Sequence, residues 1–95
     1  MALALEGQAL DNAVKAFEAA LVRKLGEYLG STAMSLARIA TTLVRSSADE
    51  GIRARAQAAV GTLNERLAEL EATVGGAAVH AIHGVLQGSG AAPGQ

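Results

Sequence analysis

The 95-residue chain contains no cysteine and no tryptophan, and it has one proline, one phenylalanine and one tyrosine. Without cysteine it can form neither disulfide bonds nor thiolate metal sites. Its formal net charge is −1, from eight basic and nine acidic residues. That balance gives the chain no general electrostatic attraction to nucleic acid or to an anionic membrane.

Alanine and leucine dominate the residues that are present. The sequence holds 22 alanines and 12 leucines, and both residue types lose little conformational freedom in a helix. Residues that favour strands are sparse and never alternate with polar ones over a useful length. The sequence therefore predicts an all-α protein, and its length predicts a single domain.

Larger apolar residues recur at helical spacing in both halves of the chain, and we refer to them as the large-residue series. The spacings are three and four in the first half and a strict four-three alternation in the second, the heptad pattern of coiled coils. The first half contributes Leu10, Val14, Phe17, Leu21, Leu25, Tyr28, Thr32, Leu36, Ile39 and Leu43, and the second contributes Ala56, Val60, Leu63, Leu67, Leu70, Val74, Ala77 and Ala81.

A turn is predicted between the two halves. Ser47 and Glu50 match the capping-box spacing, with Ser47 as the helix cap. We therefore expect a turn near 46–48 in a long antiparallel helical hairpin, roughly 8–45 against 48–87, with arms of about 50–60 Å. Because Gly30-Ser31 and Gly75-Gly76 could each end a helix, the alternative is a compact monomeric bundle of three or four helices. Residues 1–87 form the predicted domain, and 88–95 a disordered tail.

Small residues form a second pattern, the small-residue series, beside the larger ones. It comprises Ala16, Ala19, Gly26, Gly30, Ala33, Ala37 and Ala40 in the first half and Ala54, Ala58, Gly61, Ala68, Ala72 and Gly75 in the second. A charged residue interrupts each half once, Arg23 in the first and Glu65 in the second. A lone hairpin buries one face of each arm and leaves the other apolar stripe in water, which usually marks an interaction site. Assembly into a four-helix or larger bundle would cover that stripe.

The sequence thus predicts a helical assembly protein with a structural, adaptor or chaperone-like role. Its partner would be a second copy or another helical protein. The predicted interface residues are Leu10, Val14, Phe17, Leu21 and Leu25 from the first half, and Val60, Leu63, Leu67, Leu70 and Val74 from the second.

No catalytic or cofactor motif is recognisable, so we expect neither enzyme activity nor a cofactor. His80 and His83 lie three residues apart, but two imidazoles supply at most half of a zinc site. We interpret them as polar residues on a packed helix; the alternative is a metal site completed by another subunit. Nucleic-acid binding is not expected, because Asp49, Glu50 and Glu65 lie among the arginines near the turn.

An alternative function uses the uncharged, alanine- and glycine-rich segment 74–87 at a membrane or lipid surface. This segment lacks the basic polar face and the aromatic anchors of interfacial helices, so we rank it second. The N-terminal sequence lacks the basic region of a secretory signal, and we expect a cytoplasmic protein. The excess of arginine over lysine, with abundant alanine and glycine, is typical of GC-rich bacterial genomes.

Overall fold

A computed structural model describes residues 2–24 and 26–91, with side chains described for 5–24 and 26–87. Within those ranges the chain forms five α-helices and no strand. They are α1 (Ala2–Arg23), α2 (Gly26–Ser46), α3 (Glu50–Glu65), α4 (Leu67–Val74) and α5 (Gly76–Ala91). The all-α prediction is confirmed. The radius of gyration is 13.0 Å, the value expected for a compact domain of about this length.

Helix α2 lies at the centre of the bundle. It contacts α1, α3, α4 and α5. Its buried residues are Leu29, Thr32, Ala33, Leu36, Ala37, Ala40, Thr41 and Leu43. The three alanines among them are 0% exposed. Because alanine projects only a methyl group, the neighbouring helices can approach the α2 backbone closely.

The remaining helices each contribute large apolar side chains to the core around α2. Leu10 and Phe17 of α1, Leu63 of α3, Leu70 of α4 and Ile82 of α5 are almost fully buried. Full burial of such a side chain stabilises the fold by about 1.5–3 kcal/mol, before the loss of conformational entropy. The core therefore draws on the whole length of the chain.

The two long arms of the predicted hairpin are broken into shorter helices. The first arm breaks after Arg23, where Lys24 adopts a left-handed conformation with φ 57°. The second arm breaks at Arg66 and again at Gly75. The molecule measures 36 × 34 × 17 Å, so arms of about 50–60 Å are excluded. The structure is a compact helical bundle, with five helices rather than the three or four of the alternative.

The two predicted glycine breaks behave differently. Gly30 lies inside α2, and a methyl group added there would be 3.6 Å from Val74 Cγ1, an ordinary van der Waals contact, so the packing of α4 on α2 does not require glycine at this position. Gly75 has φ 97° and ψ 159°, a backbone conformation that essentially only glycine adopts. It ends α4 and shifts the helical phase. As a result Ile82 is buried in α5, whereas Ala77 and Ala81 of the large-residue series are exposed.

The turn between α2 and α3 lies where the sequence predicts it, but the cap residue differs. Asp49, not Ser47, caps α3: its Oδ1 accepts a hydrogen bond from the backbone N–H of Ile52 at 3.1 Å. The buried Ser47 hydroxyl donates to Glu6 Oε1 at 3.0 Å and accepts from the Asp49 N–H at 3.2 Å. Ser47 therefore fastens the beginning of α1 to the turn.

At the other end of the chain, α5 continues to Ala91, four residues into the predicted tail 88–95. Residues 92–95 lie outside the described residues. The prediction of a disordered tail therefore stays a prediction.

The backbone at Gly75 gives a first stability test. We expect Gly75→Ala to lower the free energy of unfolding by about 1–3 kcal/mol, because a Cβ strains this conformation. The matched control is Gly61→Ala in α3, where an added methyl group meets no atom within 4 Å. That change should raise the free energy of unfolding by up to about 1 kcal/mol. Urea unfolding followed by circular dichroism measures both, and equal shifts would contradict the assignment.

Candidate functional site

Helices α1 and α3 lie side by side on α2 with a groove between them. Each packs mainly on α2 and makes fewer contacts with the other. The groove follows residues 7–21 of α1, about 20 Å at 1.5 Å rise per residue. Its α1 side is formed by Gly7, Asp11, Val14, Lys15, Glu18 and Leu21, and its α3 side by Gly51, Ile52, Arg55, Ala58, Ala59 and Thr62, followed by Arg66.

The groove lies over core residues, but its own surface is only partly apolar. Leu10, Phe17 and Leu36 lie beneath it and are each 1% exposed, so they present almost no surface to a partner. Gln8, Asn12 and Asp49 add polar side chains at the end near Gly7.

Val14 and Leu21 form the α1 wall and are half-buried, so part of each side chain remains in contact with water. On α3, Ala58 and Thr62 are exposed, and their small side chains leave this wall low. The space is therefore bounded by larger side chains on one side and smaller ones on the other.

Charged side chains line the rims of the groove. Asp11, Lys15 and Glu18 follow one another along α1, and Arg55 and Arg66 lie on the α3 side. Arg55 Nη2 donates to Asp11 Oδ1, and this ion pair crosses the groove between the stretch that begins at Gly7 and the stretch that reaches Thr62. Both side chains are about half exposed, so this ion pair contributes at most about 1 kcal/mol to stability.

At the opposite end of the groove, Arg66 forms an ion pair with a residue three positions further along the chain. Its Nη1 donates to Glu69 Oε2 at 2.9 Å. Glu18 and Arg66 both line this stretch of the groove. The α1 rim thus offers two carboxylates around a lysine, and the α3 rim offers two guanidinium groups.

The predicted interface residues divide into three groups. Leu10, Phe17, Leu63 and Leu70 are buried in the core of the single chain, so in this conformation they are not available to a second one. Val14, Leu21, Val60, Leu67 and Val74 are half-buried against that core, and Val14 and Leu21 line the groove. Leu25 lies outside the described residues. A role in an interface stays a prediction for the half-buried group.

The small-residue series is divided between core and surface. Ala33, Ala37 and Ala40 pack inside the chain as part of α2. Members from the second half of the chain are exposed on α3 and α4, namely Ala54, Ala58, Gly61, Ala68 and Ala72. Sequence reasoning placed Ala58 in this series but did not identify the groove or the part that Thr62 and Arg66 play in it.

The two histidines of α5 do not complete a metal site within the chain. His80 is exposed and His83 is half-buried, with a buried Nδ1 that has no hydrogen-bond partner among the described residues. The described part of the chain contains no group of three or more His, Cys, Asp or Glu residues placed to hold a metal ion. A site shared between subunits stays a prediction.

Most of the large apolar side chains in segment 74–87, which is the alternative membrane-contact segment, pack within the bundle. Ile82 is buried, and Val74, Val79, Val85 and Leu86 are half-buried against the core. Among the described residues, no helix has the length and apolar character needed to cross a bilayer. Contact with a lipid surface through these side chains would require α5 to move away from its neighbours.

Comparison with known proteins assigns no family to the chain. No protein-family model matches it, and no curated protein or solved structure shows significant similarity to it. The residues that form the groove are therefore the basis for proposing its function.

A lipid-binding test follows from the burial of α5. We expect the protein to stay in the supernatant when sedimented with anionic phospholipid vesicles, because its apolar α5 side chains already pack against the core. A cationic amphipathic peptide, which should pellet with the same vesicles, is the positive control. Pelleting of most of the folded protein would contradict this expectation and favour the lipid-surface function.

Proposed function

We propose that this protein is a non-enzymatic helical assembly protein that acts by helix–helix packing. In this proposal it forms a homodimer or a larger homo-oligomer with a structural, adaptor or chaperone-like role. The observation that supports the proposal is the open groove between α1 and α3, in which Val14 and Leu21 remain partly exposed.

Apolar surface left in a groove favours binding of another apolar surface. Beyond the Asp11–Arg55 ion pair, the groove follows residues 14–21 of α1, about two helical turns, along which a partner helix could lie. Val14 and Leu21 would lose their remaining exposure when a helix is bound, at about 25 cal/mol for each Å² of apolar surface removed from water.

The flat shape of the molecule supports the same proposal. The bundle is only 17 Å thick but 36 Å and 34 Å across. A layer this thin keeps much of its core close to solvent, and small domains bury a limited fraction of their surface. Stacking a second copy on the groove face would produce a particle of roughly equal dimensions and a deeper shared core.

The placement of the charged groups supports binding rather than a reaction. Asp11, Lys15, Glu18 and Arg55 are all exposed, whereas acid–base or nucleophilic catalysis needs a titratable or nucleophilic group held against the substrate. The charged groups lie at the exposed rims, where they can orient a partner. A charged rim around partly exposed apolar residues, here Val14 and Leu21, is typical of protein–protein interfaces.

The mass in solution tests the proposal. We expect light scattering over a micromolar concentration series to give at least twice the chain mass of 9.6 kDa, with high helicity recorded on the same samples. The mass should fall towards that of one chain on dilution if the assembly is reversible. A helical species with the mass of one chain at every concentration would contradict self-assembly.

A further inference from the structure

We propose that the groove between α1 and α3 is a two-fold interface between two copies of this chain, in which α1 of each copy lies along α3 of the other. This inference rests on the proposed self-assembly and specifies its surface and arrangement. The occupant of the groove is thus a second copy of the same surface. Size and charge on the two walls select this arrangement.

Two face-to-face arrangements are possible for a two-fold contact. Gly7 lies across the groove from Gly51, and Leu21 lies at the level of Thr62, so α1 and α3 run in the same direction. A two-fold axis parallel to the helices would place α1 over the second copy's α3, with both chains running in the same direction. An axis perpendicular to the helices would instead place α1 over the second copy's α1, and α3 over α3, running in opposite directions. The sizes of the wall residues and the charges at the rims distinguish the two arrangements.

The sizes of the wall residues favour the first arrangement. Val14 and Leu21 on α1 are the larger residues, and Ala58 and Thr62 on α3 are the smaller ones. Placing α1 over α3 sets larger side chains against smaller ones, as in knobs-into-holes contacts. Placing α3 over α3 would face Ala58 and Thr62 with equally small residues and leave space unfilled, which forfeits dispersion energy.

The charges at the rims favour the same arrangement. Asp11 is paired with Arg55 across the groove, and Glu18 lines the same stretch as Arg66, so each carboxylate has an arginine at its own level. With α1 over α3 in the parallel sense, Glu18 of one copy approaches Arg66 of the other. With α1 over α1 in the antiparallel sense, Asp11 would face Glu18, and like charges would oppose binding.

The distribution of these features points to a second copy rather than an unrelated helix. A two-fold interface must be complementary to itself, because each surface patch contacts the patch of the other subunit. This groove meets that requirement with its larger side chains and two carboxylates on α1 and its smaller side chains and two guanidinium groups on the α3 side. Lys15 on α1 and Asp49 on the α3 side are the exceptions. One chain therefore supplies both halves of the complementarity.

A charge-exchange experiment tests the arrangement directly. Glu18→Arg sets arginine against arginine in both symmetric contacts of a dimer, and Arg66→Glu sets glutamate against glutamate. Each variant alone is expected to have a dimer dissociation constant at least about tenfold higher than the original chain, because like charges are juxtaposed. An equimolar mixture should form a heterodimer whose dissociation constant is within about threefold of the original. Both of its contacts again pair an acid with a base.

Restoration on mixing cannot arise from pairing within one chain, because each chain in the mixture still carries only its own substitution. Sedimentation velocity with one variant fluorescently labelled measures the heterodimer. Because Arg66→Glu also removes the ion pair with Glu69, helicity and thermal midpoint are recorded for each variant. If the mixture dissociates as readily as the single variants, the proposed α1-over-α3 arrangement is overturned.

A second variant tests the groove without changing an existing charge. Ala58→Arg places a long cation on the low α3 wall and should raise the dimer dissociation constant at least about tenfold. Ala54→Arg is the matched control, since Ala54 is an exposed α3 alanine that does not line the groove. The control should leave dimerisation within about twofold of the original chain. Such tolerance is expected for a surface substitution away from an interface.

The outcomes separate this inference from the proposed function. A dimer unaffected by Ala58→Arg would overturn the groove as the interface while leaving self-assembly in place. A monomeric original chain would overturn both the self-assembly and the second copy as occupant. Loss of dimer in Ala58→Arg, retention in Ala54→Arg and restoration by mixing would together support the proposal.

Discussion

The burial of one face of α2 by the other four helices is the constraint on which the structure depends. A stripe of exposed residues, which includes Tyr28, Ser35 and Thr42, remains on α2, so four helices share the rest of its surface and must approach it closely. Ala33, Ala37 and Ala40 allow that approach because their side chains extend little beyond the backbone. The larger residues that fill the space come mostly from the surrounding helices, through Phe17, Leu63 and other core side chains. The chain thus uses its alanines inside the fold as well as on its surface.

The same arrangement leaves the α1/α3 groove open. Both helices are held by α2, so neither needs to close against the other. Closure would require larger residues on the α3 wall, but Ala58 and Thr62 stand there. Val14 and Leu21 therefore keep part of their surface accessible from outside. In our proposal, this opening is what turns a small helical bundle into a unit of assembly.

The sequence predicted the helical class, the turn between α2 and α3 and much of the core, because these depend on local propensity and periodicity. Leu10, Phe17, Leu36 and Leu63 lie at predicted positions of the large-residue series and are buried. The break at Lys24 could not be anticipated, since no local feature requires lysine to adopt a left-handed conformation. Likewise, a glycine that ends a helix, Gly75, is indistinguishable in sequence from one that lies inside a helix, Gly30.

The candidate site was less accessible to sequence reasoning than the fold. Periodicity groups residues by helical face, but it does not show which two faces leave a gap when three helices meet. Ser47 illustrates the same difficulty: the capping-box pattern suggested a local role, whereas its hydroxyl bonds to Glu6, 41 residues away. The groove is also a non-local feature, because its walls come from residues more than 40 positions apart.

The concentration dependence of thermal unfolding tests the central claim most directly, because it asks whether the folded state itself is the associated state. If two folded chains dissociate as they unfold, mass action raises the midpoint with protein concentration. Our account predicts such a rise over a hundredfold concentration range for the original chain and a much smaller one for Ala58→Arg. A midpoint that is independent of concentration for the original chain, with cooperative and reversible unfolding, would contradict the account.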